Sequence, residues 1–191
     1  MEHDLVRPAL VVIDVQNAID DPSWGPRNNP DAEQVIARLL DGWRRRRLPV
    51  VHVRHDSVEA DSPYRPGGPG NDFKQGVQPL GDETVVVKRT NNAFIGTDLG
   101  HRLLDAEVDA VVYVGVLTNN SVEATVRMSG NLGFRSFVAA DGCWAVDTDD
   151  LLGRSWAAED VHALSLANLH GEYATVVTAD ELLAAVERSA P

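Results

Sequence analysis

Two rhythms of apolar and polar positions alternate along the 191 residues of the chain. One is a set of short runs rich in Val, Ile and Ala: ALVVID (9–14), PVVHVR (49–54), TVVVKR (84–89), AVVYVG (110–115), SFVAAD (136–141) and ATVVTA (174–179). Their length and β-branched content predict six strands. The other rhythm spaces apolar residues three and four apart. Val35, Ile36, Leu39, Leu40 and Trp43 predict a helix that begins just after Pro30, a residue suited to a helix start. A second helix is predicted from Asn119 or Asn120 to Gly133, where the missing Cβ suits a left-handed C-terminal position. A third covers 157–169, and Thr178 with Glu181 has capping-box spacing for the last.

Strands that alternate with helices are the signature of βαβ units. The predicted fold class is therefore α/β: an open, mostly parallel six-stranded sheet with helices on both faces, a Rossmann-like three-layer sandwich, in one domain spanning 1–191. No internal repeat or low-complexity tract interrupts it. Two segments are long for plain connections: 55–82, rich in Gly, Pro and Asp, and 141–156, with Trp144 and Trp156. Long loops in a compact domain tend to be functional covers, so both are expected to roof a ligand pocket.

Charge narrows the partners. Seventeen basic against 29 acidic side chains give a formal charge of −12, which repels phosphate backbones and anionic membrane surfaces. Neither nucleic acid nor membrane is expected as a partner; a small-molecule substrate is. The basic run Arg44 to Arg47 falls at a predicted helix end, where cations complement the dipole, and reads as a solvated terminus. No signal peptide and no membrane-length apolar run are apparent, and Cys143 is the single cysteine. A cytoplasmic location is the expectation.

In an open parallel sheet, ligands bind beyond the carboxyl ends of the strands, where strand order reverses. Asp14 closes the first predicted strand, Lys88 lies near the end of the third, and Ser121 follows the fourth at a helix mouth. A carboxylate, an ammonium and a hydroxyl on one edge make a proton-transfer unit. The same residues also admit a purely structural reading: Asp14 and Lys88 as a buried ion pair fixing strand ends, and Ser121 as a helix cap.

The string GVLTNNSVEATVRMSGNLGF (115–134) resembles the nucleophile segment of the isochorismatase-like hydrolases, also called the cysteine hydrolases. Gly115, Thr118, Val122, Thr125, Arg127, Gly133 and Phe134 match that pattern. VVIDVQNAI resembles the family's first strand with its catalytic Asp, VVVKRTNNAFIGTDL its Lys segment, and HALSLANLHGEYATVVTADELL its C-terminal part. Ordered motifs in matching context are far more specific than any one alone. The resemblance implies a hydrolase acting on a small molecule, most of all at an amide or imide-like C–N bond. It implies catalytic Asp14, Lys88 and the residue at position 121, no cofactor, and a homodimer or larger homo-oligomer. RHDS (54–57) lacks the Asp-x-His arrangement with which related nicotinamidases hold a metal, so no metal is implied.

The departure is Ser121, where the family has a nucleophilic Cys. A serine hydroxyl is a weaker acid than a thiol and needs an adjacent base. Ser121 is then a nucleophile activated by Asp14, or a bystander in isochorismatase-type vinyl ether cleavage with Asp14 as general acid, or an engineered Cys-to-Ser change. A pseudoenzyme or ligand-binding module is the reading from another class. The resemblance also implies a cis peptide between Val116 and Leu117, with the amides of Leu117 and Ser121 as the oxyanion hole. Asn17, His55, Asn92, Phe94, Asn119 and Trp144 are the expected substrate-contacting residues, each also readable as a cap or packing residue. Cys143 and His52 read as buried structural residues.

Overall fold

A computed structural model describes residues 4–188. Six strands form one sheet: β1 (Pro8–Ile13), β2 (Val50–His55), β3 (Thr84–Lys88), β4 (Ala110–Val116), β5 (Ser136–Trp144) and, after a small antiparallel hairpin of β6 (Thr148–Asp149) and β7 (Ser155–Trp156), β8 (Thr175–Val177). All six pair in parallel, in the order β3-β2-β1-β4-β5-β8. The helices are α1 (Ala32–Arg45), α2 (Leu99–Asp105), α3 (Glu123–Asn131), α4 (Ala158–Leu169) and α5 (Ala179–Arg188).

Side chains alternate across a strand with period two, so one apolar run feeds two cores. Leu10 and Val12 of β1 pack with Leu39 and Trp43 of α1 and Leu182 and Val186 of α5. Ala9, Val11 and Ile13 pack on the opposite face with Leu99 and Leu103 of α2, Val126 of α3 and Leu169 of α4. Trp43, fully buried, also satisfies its indole by donating to the Pro8 carbonyl at 2.9 Å. The result is the predicted three-layer α/β sandwich, parallel throughout its six-stranded sheet.

Local signals explain the ends. Thr178 and Glu181 close a reciprocal cap on α5, with the Thr178 amide donating to Glu181 at 2.8 Å and the Glu181 amide to the Thr178 hydroxyl at 3.3 Å. Past α3, Gly133 adopts φ 86° and lets the chain turn back. Three expectations change. Helix α2 went unpredicted, because its seven residues bury only Leu99 and Leu103 and give too short a period to read. β5 runs three residues past the expected end, so Cys143 and Trp144 are strand residues paired with Gly115 and Val116. The Arg44 to Arg47 run is not wholly solvated: Arg44 reaches Glu83 at 2.7 Å, and Glu83 in turn meets the buried His52 at 3.0 Å. Among the described residues, no helix is long and apolar enough to cross a membrane.

Candidate active site

Strand order reverses between β1 and β4, and the chain has to bring both carboxyl ends close for the two to share one site. Gly115 makes this possible. A Cβ at this position, with φ 119°, would lie 2.1 Å from the Ile13 carbonyl oxygen. Immediately after β1, Asp14 takes a left-handed backbone conformation, φ 54°, open to Asp more readily than to most residues. After β4 the chain passes through a cis Val116–Leu117 peptide, as the resemblance implied, into a wide helical turn over 118–122 that carries Ser121 to the same crevice.

There the three expected residues meet. Lys88 Nζ lies 2.6 Å from Asp14 Oδ2 and donates to Ser121 Oγ at 3.2 Å and to the Thr90 carbonyl at 3.0 Å. Asp14, Lys88 and Ser121 are all buried, at 4%, 1% and 6% exposure. Burial pushes the Asp14 carboxyl above its ordinary 3.8, against the opposing pull of the Lys88 charge and of hydrogen bonds from Lys88 and Ser121. Its Oδ1 is buried and has no hydrogen-bond partner of its own among the described residues. An acidic oxygen in that state, beside a hydroxyl, is a candidate proton acceptor.

Asp14 and Ser121, with Lys88 behind them, line a cavity of about 200 Å³. Its walls include Ile19, Trp24, His55, Tyr64, Leu117 and Asn120. The turn that carries Ser121 is fastened from α4: His162 Nδ1 and Thr118 Oγ1 are 2.8 Å apart, and Ser165 donates to the Thr118 carbonyl at 3.0 Å. On the other side, Gln16 holds the end of β2, accepting from the His55 amide at 2.7 Å and donating to its carbonyl at 3.1 Å.

Of the expected substrate contacts, His55 alone lines this cavity. Asn17 is exposed and ties its amide to Pro69 at 3.2 Å, on an outer groove that adjoins the cavity through Ser62 and Pro63. Asn92 is a structural link, donating to Ala124 at 2.9 Å and accepting from the Phe94 amide at 2.9 Å. Phe94 stacks on Phe134 at 6.0 Å beyond α2, away from Ser121. Asn119 faces outward toward Trp156 and Leu164. Trp144 is fully buried in the core, with Arg27 stacked 4.3 Å above its ring. The corrections have one physical cause in two cases: Asn91 and Asn120, one residue away from the expected Asn92 and Asn119, are the ones at the cavity.

The segment 55–82 does roof the cavity, through Ser62, Pro63 and Tyr64. The segment 141–156 does not; it completes β5 and forms the β6–β7 hairpin. The second roof piece is Ile19 and Trp24, from the connection between β1 and α1. Trp24 is fixed by donation to the Ala18 carbonyl at 2.9 Å and packs edge-on to Tyr64. Proline and tryptophan in DDPSWGP (20–26) were the available sign that this connection is shaped rather than slack.

The Isochorismatase domain profile matches residues 8–181. This chain belongs to the isochorismatase family of hydrolases. A solved structure of an isochorismatase-family protein from Chromobacterium violaceum superposes with a TM-score of 0.95 at 53% identity, over 98% of this chain and 97% of that one. An uncharacterized isochorismatase family protein of Bacillus subtilis, YrdC, is 38% identical over 93% of this chain and 95% of its own length. The chain is also similar to nicotinamidase 3 of Arabidopsis thaliana, at 28% identity over 91% of this chain and 86% of that protein.

Proposed function

We propose that this isochorismatase-family hydrolase cleaves a carbon–nitrogen bond of a small amide or imide-like molecule through an acyl-enzyme on Ser121. The carrying observation is the bridge made by Lys88, 2.6 Å from Asp14 and 3.2 Å from Ser121, behind the cavity that Asp14 and Ser121 line. Similarity to a nicotinamidase is consistent with amide chemistry.

In this reading Asp14 Oδ1 takes the Ser121 proton as Oγ attacks the acyl carbon, while Lys88 keeps Asp14 ionised and steadies the hydroxyl. The backbone amides of Leu117 and Ser121 hold the oxyanion, a contribution that is worth about 2.7–4 kcal/mol per donor in such sites. Asp14 returns the proton to the leaving amine, and water then releases the carboxylic acid by the same steps in reverse. A second reading is favoured by the burial of Asp14, which raises its pKa and suits it to donate a proton: vinyl ether cleavage with Asp14 as general acid and no covalent intermediate.

Three variants test these readings. Asp14→Asn should abolish turnover with substrate binding retained under either reading, whereas a ligand-binding module would show no turnover to lose. Ser121→Cys should increase amidase activity under the acyl-enzyme reading, because the thiolate is the better nucleophile; unchanged turnover in Ser121→Ala would favour the second reading.

A further inference from the structure

The cavity wall contains a polar group that neither the fold nor the proposed chemistry uses. His55 ends β2 directly beside Lys88, its Cα partner on β3, and its backbone is locked on both sides by Gln16. Its ring packs edge-on to Tyr64 at 5.6 Å, itself buried, so the imidazole has a fixed place in the wall. Yet neither ring nitrogen has a hydrogen-bond partner among the described residues, and Nδ1 is fully shielded. A bound molecule cannot reach the shielded Nδ1, which leaves Nε2 as the ring atom free to exchange a hydrogen bond with a ligand in the cavity.

The cavity's charge is the second observation. Asp14 is compensated by Lys88 behind it, and among the described residues no lysine or arginine lines the space. Burial and the neighbouring Lys88 charge pull the His55 pKa down to about 4, against the pull of Asp56, so the ring is uncharged at neutral pH. In the outer groove, Arg65 is accompanied by Asp20 and Asp21, giving no net positive field there. The remaining walls are apolar or aromatic at Ile19, Trp24, Pro63, Tyr64, Val116 and Leu117 and polar but uncharged at Ser62, Asn91 and Asn120. At about 200 Å³, the space is below the roughly 300–1,000 Å³ of drug-sized ligand sites.

We infer that His55 is the specificity-determining residue of this site, selecting small uncharged acyl groups that carry a hydrogen-bonding atom opposite its ring and rejecting substrates that carry a carboxylate. The inference rests on the reading of this cavity as the hydrolytic site. A carboxylate brought into it would leave water with no uncompensated cation to meet, since Lys88 is already paired with Asp14, and an apolar acyl group would leave the imidazole unmet; both are penalised by the same desolvation argument. The lack of an unpaired cation also favours departure of the carboxylate that amide hydrolysis produces.

The test is calorimetric binding to the full chain of a set matched in shape: benzamide, the three pyridine carboxamides, the hydroxybenzamides and benzoate. Pyridine nitrogen tests His55 as donor, and the phenol tests it as acceptor as well. The expected result is at least one polar amide binding about tenfold or more tightly than benzamide, and benzoate about tenfold or more weaker than benzamide. His55→Phe, which keeps the ring contact with Tyr64, should erase the advantage of the polar amide, and His55→Gln should restore part of it. The inference is overturned if no polar amide exceeds benzamide, if the advantage survives in His55→Phe, or if benzoate binds as tightly as the amides. Because binding is read apart from turnover, the two ideas fail separately. The expected pattern without hydrolysis sinks the amidase reading alone; hydrolysis without discrimination by His55 sinks this inference alone.

Discussion

Replacing Lys88 by Met gives the sharpest view of how the site is held together. The substitution keeps the length and apolar stem of a side chain that is 0% exposed and deletes the ammonium 2.6 Å from Asp14. At that separation, two unit charges attract by about 6 kcal/mol with an effective dielectric of ~20. Desolvation of both groups offsets most of this, so the intact pair adds little net stability, while loss of one partner leaves a buried charge at a cost of about 3–5 kcal/mol. Against a typical total of roughly 5–15 kcal/mol the variant still folds and can be measured.

Asp14→Asn should carry a comparable loss by stranding the ammonium. The double variant should lose less than the sum of the two by about 2 kcal/mol or more, read from urea unfolding. The pH dependence has a definite sign. Asp14 already has a raised carboxyl pKa, and without Lys88 only the Ser121 hydrogen bond opposes burial, so it rises further. An acid whose folded pKa lies above its unfolded value loses stability as pH climbs from the unfolded toward the folded pKa. The deficit of Lys88→Met relative to the parent should therefore grow from pH 5 to pH 8. An additive double variant, or a loss of ~0.5 kcal/mol or less of the kind typical of a surface substitution, would refute the buried-pair reasoning.

Three further outcomes follow from the same geometry. Gly115→Ala places a methyl 2.1 Å from the Ile13 carbonyl and should lower stability by about 3 kcal/mol or more in urea, since backbone rather than a flexible side chain must move; a loss under 1 kcal/mol would contradict the close approach of β1 and β4. His162→Ala removes the partner of Thr118 and should reduce kcat by about tenfold to a hundredfold with little change in KM, by loosening the turn that carries Ser121; an equal change in KM would point to general damage instead. The acid limb of kcat/KM should lie above 3.8, because Asp14 has to be ionised to accept a proton and burial raises its pKa; a limb at or below 3.8 would mean that another group titrates.

Much of this was legible in the chain because the signals were redundant. The six sheet strands are nearly continuous apolar runs, and β1 feeds both cores by simple alternation. That Asp14, Lys88 and Ser121 share one edge was readable from position, since each follows or ends a strand that the parallel topology aligns there; their reading as a reactive centre, rather than an ion pair and a helix cap, came from the family resemblance of the 115–134 segment. The pocket walls were not. Asn91 and Asn120 were missed by one residue in favour of Asn92 and Asn119, because adjacent residues in a turn or helix face directions that a sequence pattern without strong amphipathicity leaves undetermined. Trp144 was taken for a pocket residue because an indole suits a core and a ligand wall equally well; only the extension of β5 to residue 144 decides it. Tyr64 and Trp24 come from irregular segments whose course depends on contacts such as Trp24 with the Ala18 carbonyl, local links that no periodicity announces.

The central claim is that Asp14, Lys88 and Ser121 form one acyl-transfer centre. Its most direct measurement is intact-protein mass spectrometry with peptide mapping, after quenching the reaction with an activated aryl ester or amide within the first turnover. The account predicts a single acyl adduct on Ser121 in the parent chain, absent in Ser121→Ala and strongly reduced in Asp14→Asn. Turnover of the same substrate with no adduct on Ser121, or acylation that is indifferent to Asp14, would contradict it.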